Sequence, residues 1–195
     1  MKSTGNKICI ITLFYLTLLI PAQLCANDSE IIPKELSTVK VTLYSEKVRL
    51  PLEGLETLEG VPYDNETLCG KFVLVNLWAS WCPDCRKEKP SIERLYKELS
   101  NDRMFGKEEL VLLTVSLGED PDTVKSYINK NQYSFPVVLD RENKLPKAYA
   151  SWIPANYILA PDGNIIAQII LGEEWDSEQA LITLKRLVSI ASLQQ

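Results

Sequence analysis

The run Phe72-Val73-Leu74-Val75-Asn76-Leu77-Trp78 is apolar at successive positions, rich in β-branched and aromatic residues, and followed almost at once by Cys82-Pro83-Asp84-Cys85. Apolar at both odd and even positions, it suits a strand covered on both faces, as in an α/β sheet. Beyond the cysteines, Ile92, Leu95, Tyr96 and Leu99 recur at helical spacing, which places the pair at the mouth of a helix. One helical turn brings two such side chains within disulfide reach. The free N–H groups and the dipole of the helix start favour a thiolate on Cys82. The pattern predicts thiol–disulfide chemistry, with Cys82 as nucleophile and Cys85 as the resolving thiol.

Two other uses of Cys-x-x-Cys compete with that reading. A structural zinc site needs four ligands, and the chain has no histidine, no second Cys-x-x-Cys, and only Cys69 as a further thiol beyond the first 26 residues. No metal and no cofactor are expected. A purely structural disulfide is compatible with an oxidising compartment, but so small a ring cross-links little chain and stabilises it modestly.

The segment Asn76-Leu77-Trp78-Ala79-Ser80-Trp81-Cys82-Pro83-Asp84-Cys85-Arg86-Lys87-Glu88 resembles the active-site segment of the thioredoxin superfamily. It is similar in particular to the secreted, membrane-tethered thiol–disulfide oxidoreductases of bacteria, which include the cytochrome c maturation reductants. The resemblance covers residues 51 to 190. It implies an α/β thioredoxin-like fold of three layers, with a central mixed sheet and an added N-terminal β-hairpin, here read in Pro51 to Pro62. Ser151-Trp152-Ile153-Pro154-Ala155 resembles the loop that sets a cis-proline, Pro154, opposite the active-site disulfide. By that resemblance Ile153 offers its backbone to an extended substrate segment, with Trp152 beside it. Trp81, Pro83 and Asp84 support the pair, Trp81 by shielding it.

Further elements follow from pattern. Val39 to Tyr44 alternates as a half-exposed strand. Leu110 to Leu117 is a second buried strand, completing a βαβ unit with a right-handed crossover. Asp120-Pro121 opens a helix to about Lys130, Phe135 to Asp140 is a short strand, and Lys144 to Ala150 a short helix. Asp162-Gly163 turns a hairpin between Asn156 and Leu171, and Asp176 or Ser177 caps a last helix. Cys69 reads as a packed or half-buried thiol, as most free cysteines are.

Residues 1–26 read as a signal peptide or N-terminal membrane anchor: Lys2 and Lys7 precede the uncharged run Ile8 to Ile20. Residues 27–50 read as a linker with a possible extra strand, and 51–195 as the thioredoxin-like domain. The net charge of −5 excludes nucleic acid as a partner class, since phosphate binding needs a basic surface. Exported proteins carrying disulfides are the expected substrates, apocytochrome c foremost by resemblance. A membrane electron donor, such as a transmembrane thiol reductase, is the expected source of electrons.

The proton steps need a base. Cytoplasmic thioredoxin has a buried aspartate where this chain has Asn76, so Glu88 is the candidate: it follows Cys85 by one helical turn, where the secreted reductants carry a glutamate. The alternative is an ordinary solvated helix carboxylate. Asp84 between the cysteines disfavours a thiolate by repulsion, which predicts a reducing pair, because strong oxidants owe their power to a stabilised reduced form. The rivals are a periplasmic oxidase or isomerase and a non-catalytic metal- or protein-binding module on the same fold. A peroxidase of this superfamily needs Thr or Ser at the position of Ala79.

Overall fold

The structure is a computed structural model that describes residues 39–100, 110–145, 147–170 and 174–193. The leader expected in 1–26 lies outside those residues. No helix among the described residues is long and apolar enough to cross a membrane.

The sheet is built outward from β3, Phe72–Trp78, every residue of which is buried. Its full length pairs in parallel with β4, Leu110–Leu117, and on its other side it pairs antiparallel with β6, Ala155–Leu159. β5, Val137–Asp140, lies parallel to β4, while β7, Ile165–Ile170, returns antiparallel to β6. The edges are β1, Lys40–Leu43, against β7, and the two-residue β2, Glu56–Thr57, against β5. The order β1-β7-β6-β3-β4-β5-β2 makes a mixed seven-stranded sheet. The strand read in the linker segment is thus a sheet edge, and Val39 just before it is buried in the core. The hairpin read in Pro51 to Pro62 is shallow: β2 is bridged back only at Glu56–Pro62.

Strand alternation assigns the two faces. Phe72, Leu74 and Trp78 join a core with Ile92 and Leu95 of α1, Pro83–Ser100, Val124 and Ile128 of α2, Pro121–Asn131, and Leu184 and Val188 of α4, Glu178–Ser192. Val73, Val75 and Leu77 join the opposite core with Leu50, Leu52, Leu55 and Leu145, onto which Tyr149 of α3, Lys147–Ala150, also packs. Asn76 shares the parity of Phe72, Leu74 and Trp78, so its amide points at the α1 face. That one position is where the core turns polar.

Caps and turns follow the expected chemistry. Asp120 accepts N–H bonds from Asp122 and Thr123 at the start of α2. Of the two candidates for α4, Ser177 is the cap, through Ala180 N–H. β5 starts only at Val137, because Pro136 has no N–H to give; its carbonyl instead takes Thr114 N–H and Oγ1. α3 starts later than expected. Lys144 and Leu145 spend their N–H groups on the buried Asp140 carboxylate, 2.7 and 2.9 Å away, which holds them in a loop. Cys69 is exposed, not packed: it follows a solvent-facing 3₁₀ turn, Asn65–Leu68.

Glu93 ties α1 to the loop before β5. Its carboxylate accepts from Ser134 N (2.8 Å), Ser134 Oγ (2.6 Å) and Phe135 N (3.2 Å), with Lys97 Nζ at 3.1 Å. Burial opposes its ionisation, but these donors outweigh it and hold the carboxyl below its ordinary value. A depressed folded-state pKa adds stability that is present above the ordinary carboxyl range and lost as the pH falls through the folded value. Glu93→Ala should cost about 1–3 kcal/mol at neutral pH, the usual penalty for stranding buried donors. Urea unfolding of both proteins checks this, and the gap between them should close as the pH drops below about 4.

Candidate active site

Cys82 sits where β3 has ended and α1 has not begun. Cys82 N–H donates to Ala79 O, and its own carbonyl accepts from Arg86 N–H, the first intrahelical bond. Pro83 takes the first helical position, where its missing N–H costs nothing. Cys85 N–H then points at Cys82 Sγ, 3.1 Å away, so the sulfur occupies the place of a capping oxygen. The two cysteines are joined in a disulfide, with Cys82 only 3% exposed and Cys85 fully buried. On opening, the same N–H and the helix dipole are in place to stabilise a thiolate on Cys82.

The Ile153–Pro154 peptide is cis, and Ile153 O lies 3.6 Å from Cys82 Sγ. This contact brings together the two segments that the sequence singles out. Trp81 and Trp152, each one residue from that contact, are 66% and 86% exposed, so neither is a core aromatic. Asp84 is exposed and its carboxylate is 2.9 Å from Lys87 Nζ. Its expected repulsion of a Cys82 thiolate is therefore largely cancelled by a neighbouring cation and by water. Pro83, Arg86 and Lys87 with Tyr127, Lys130 and Asn131 line a cleft of 430 Å³ beside the helix start.

Glu88 is not a solvated carboxylate. It is 1% exposed, with Oε1 accepting from Asn76 Nδ2 at 2.7 Å and Oε2 from Trp175 Nε1 at 3.1 Å. Burial raises its pKa, opposed by the Lys89 charge and by the hydrogen bonds of Trp175, Asn76 and Asn156. Asn76 Nδ2 also donates to Asn156 Oδ1 at 2.7 Å, and Asn76 Oδ1 accepts from Lys89 Nζ. A closed polar cluster thus lies within the apolar core, its Glu88 one helical turn beyond Cys85.

The sequence model of the AhpC/TSA family matches residues 48–168. The chain belongs to that family. Its curated relatives include the thiol-disulfide oxidoreductase ResA of Bacillus anthracis, 30% identical over 118 residues, 60% of this chain and 64% of ResA. ResA of Geobacillus kaustophilus is 26% identical over 76% of this chain and 86% of its own length. With the first of these relatives, the match spans less than two thirds of the relative's length. Among solved structures, StoA from Bacillus subtilis is 26% identical over 76% of this chain and 96% of StoA, with a TM-score of 0.52. A thiol:disulfide interchange protein from Bacteroides sp. aligns at a TM-score of 0.58 and 21% identity over 74% of this chain and 91% of its own, a likeness of fold. The fold is α/β and thioredoxin-like.

In this AhpC/TSA member the loop that delivers Cys82 is held by a residue that sequence reasoning missed. Glu119, 7% exposed just past β4, accepts from Ser80 N at 2.8 Å, from Ser80 Oγ, and from Ser116 Oγ at 2.7 Å. Asn156, Trp175 and Lys89 were missed as well. The period was the available signal for Lys89, because positions 85, 88, 89 and 92 lie on one helical face. If the helix start stabilises the thiolate, Cys82 in the reduced protein should titrate below the free-cysteine value of about 8.5, and Cys85 above it because of burial. Thiolate absorbance against pH in Cys82→Ser and Cys85→Ser variants checks the order.

Proposed function

We propose that this protein is an exported thiol–disulfide oxidoreductase that reduces disulfides in other exported proteins through Cys82 and Cys85. The observation that carries the reading is the Cys82 sulfur capping α1 beside the Ile153 carbonyl. The names of the ResA relatives support the same chemistry.

In the reduced protein, Cys82 thiolate attacks one sulfur of the substrate disulfide. A mixed disulfide forms and one substrate thiolate leaves. Glu88 takes the proton from Cys85, and Cys85 thiolate then attacks Cys82 Sγ. The second substrate thiolate leaves, the Cys82–Cys85 disulfide forms, and the substrate has gained two electrons. A membrane thiol reductase would return the pair to the dithiol. Apocytochrome c, whose cysteines must be reduced after export, is the leading client by resemblance. Ile153 would pair with the extended substrate backbone, with Trp81 and Trp152 on either side.

The reducing direction now rests on Glu88 more than on Asp84. A buried carboxylate one turn from Cys85 penalises a second negative charge in the same low-dielectric region. The dithiol is then less stabilised, and the pair more reducing. A peroxidase is disfavoured by Ala79, whose buried methyl stands where that chemistry needs a hydroxyl.

The equilibrium reduction potential of the pair should lie near or below about −270 mV, and a value near about −120 mV would make the protein an oxidant instead. Because Glu88 must be ionised to act as base and its pKa is raised by burial, the exchange rate should climb with pH through that raised value. Glu88→Gln should lower the rate about 10²-fold and remove that limb. Rates that keep the same magnitude and pH dependence would take Glu88 out of the mechanism.

A further inference from the structure

Lys89 is the largest charged side chain that the fold buries completely, at 0% exposure, and the exchange steps above leave it unused. Its ammonium sits 4.2 Å from the centre of the Trp78 ring and 5.4 Å from that of Phe135, and donates to Asn76 Oδ1. An ammonium has only protons to offer, so it dictates which end of the Asn76 amide faces it. With Oδ1 turned to Lys89, Nδ2 is turned to Glu88 Oε1 and Asn156 Oδ1, each 2.7 Å away. A carboxyl facing an N–H₂ group must present an acceptor oxygen. With Trp175 N–H already on Oε2, the amide N–H on Oε1 gives both carboxyl oxygens a donor, an arrangement that favours the ionised form of Glu88.

We infer that Lys89 is a positioning residue for the exchange reaction: through Asn76 it holds Glu88 as a carboxylate, ready to receive the Cys85 proton. The consequence for turnover rests on the base role of Glu88 proposed above. Without Lys89, the amide is free to reverse and offer Oδ1 to a protonated Glu88, and the carboxyl also loses a positive charge from its neighbourhood.

Burial lowers the Lys89 pKa to about 7 and raises that of Glu88, and the charge of each is the strongest effect opposing the shift of the other, so the two ionised forms support one another against the cost of burial. Among the described residues, no other charge is among the causes of either shift. From β3 the pair meets Asn76 and Trp78, from β6 Asn156, and from the segment before α4 Trp175. From α2 and the loop after it come Tyr127, at 5.4 Å from the Trp78 ring, and Tyr133, stacked on Phe135 at 5.1 Å. Burial pushes the Tyr127 phenol up to about 12 and raises Tyr133, so both stay neutral in the working range. Glu93, the next acid along the helix, is committed to Ser134 and Phe135 N–H groups.

The test is a titration of Glu88 in the full-length protein carrying carboxyl-¹³C glutamate, its signal assigned by loss in Glu88→Gln. Lys89→Met should raise the Glu88 midpoint by one unit or more. The acid limb of dithiol oxidation by glutathione disulfide should move up equally, slowing the reaction at a fixed pH on that limb about tenfold per unit. In a Glu88→Gln background, Lys89→Met should leave the pH profile unchanged. Replacing a buried charge by an apolar side chain of similar length is often neutral or stabilising. Should Lys89→Met nonetheless not fold, Lys89→Gln removes the charge while keeping a donor and should raise the midpoint in the same direction. A Glu88 midpoint that stays put in a folded variant overturns the inference. Absence of exchange activity in the unmodified protein, with the midpoint still moved by Lys89→Met, would instead overturn the reductase reading and leave Lys89 in control of Glu88.

Discussion

The amide of Asn76 is the interaction on which the α1 side of the molecule turns. β3 is otherwise apolar, and at this one position it offers a donor and an acceptor to a helix that arrives with Glu88 and Lys89 on its inner face. Burying a carboxylate and an ammonium separately would cost several kcal/mol each, and burying them together is still expensive unless their remaining valences are filled. Here they are filled, by Asn76, Asn156, Trp175 and the face of Trp78. The cluster joins β3, α1, β6 and the approach to α4, so the polar groups hold the same elements that the surrounding core packs together. Apolar replacement of such a buried pair is often neutral or stabilising, so stability alone does not account for the network.

That cluster begins one helical turn beyond Cys85, and the two halves of the site are built differently. Cys82 is set by backbone: the end of β3, the Ser80 loop pinned on Glu119, the capping N–H of Cys85 and the carbonyl of Ile153. Cys85 is set by side chains, deep in the helix and one turn before Glu88. A thiolate is favoured at the first cysteine by the helix start and disfavoured at the second by burial. In the proposed mechanism that difference sets the order of events: the first sulfur attacks a partner, and the second needs a base before it can follow.

Much of this was legible in the sequence because it follows from periodicity and from residue types with few uses. The unbroken apolar parity of Phe72 to Trp78 requires a strand buried on both faces, and a Cys-x-x-Cys at a helix start has little to do in a chain without histidine except redox chemistry. Asp162-Gly163 marks its turn by local chemistry alone, and the cap of α4 narrows to Asp176 or Ser177, of which the structure uses Ser177. What escaped is tertiary. Trp175 stands in an irregular segment, and nothing in its neighbours says that its indole N–H reaches Glu88 from the far end of the chain. Asp84 looked like a neighbour of Cys82 charge because sequence shows adjacency but not direction, whereas in space it turns outward to Lys87. Cys69 looked buried on composition, and a short turn leaves it in solvent.

Asn76 also separates this chain from a simpler arrangement in which a carboxylate on the strand serves as the base. An amide cannot take a proton, so the strand contributes orientation only, and the ionisable group moves to the helix. In the mechanism proposed above, the exchange reaction then depends on two side chains that share one helical turn with Cys85 and are adjacent in sequence. Adjacent residues on a helix point about 100° apart, so they do not meet face to face. Glu88 and Lys89 instead communicate through the amide that both of them touch. A relay of this kind is stiff, since rotating the amide breaks bonds at both ends at once.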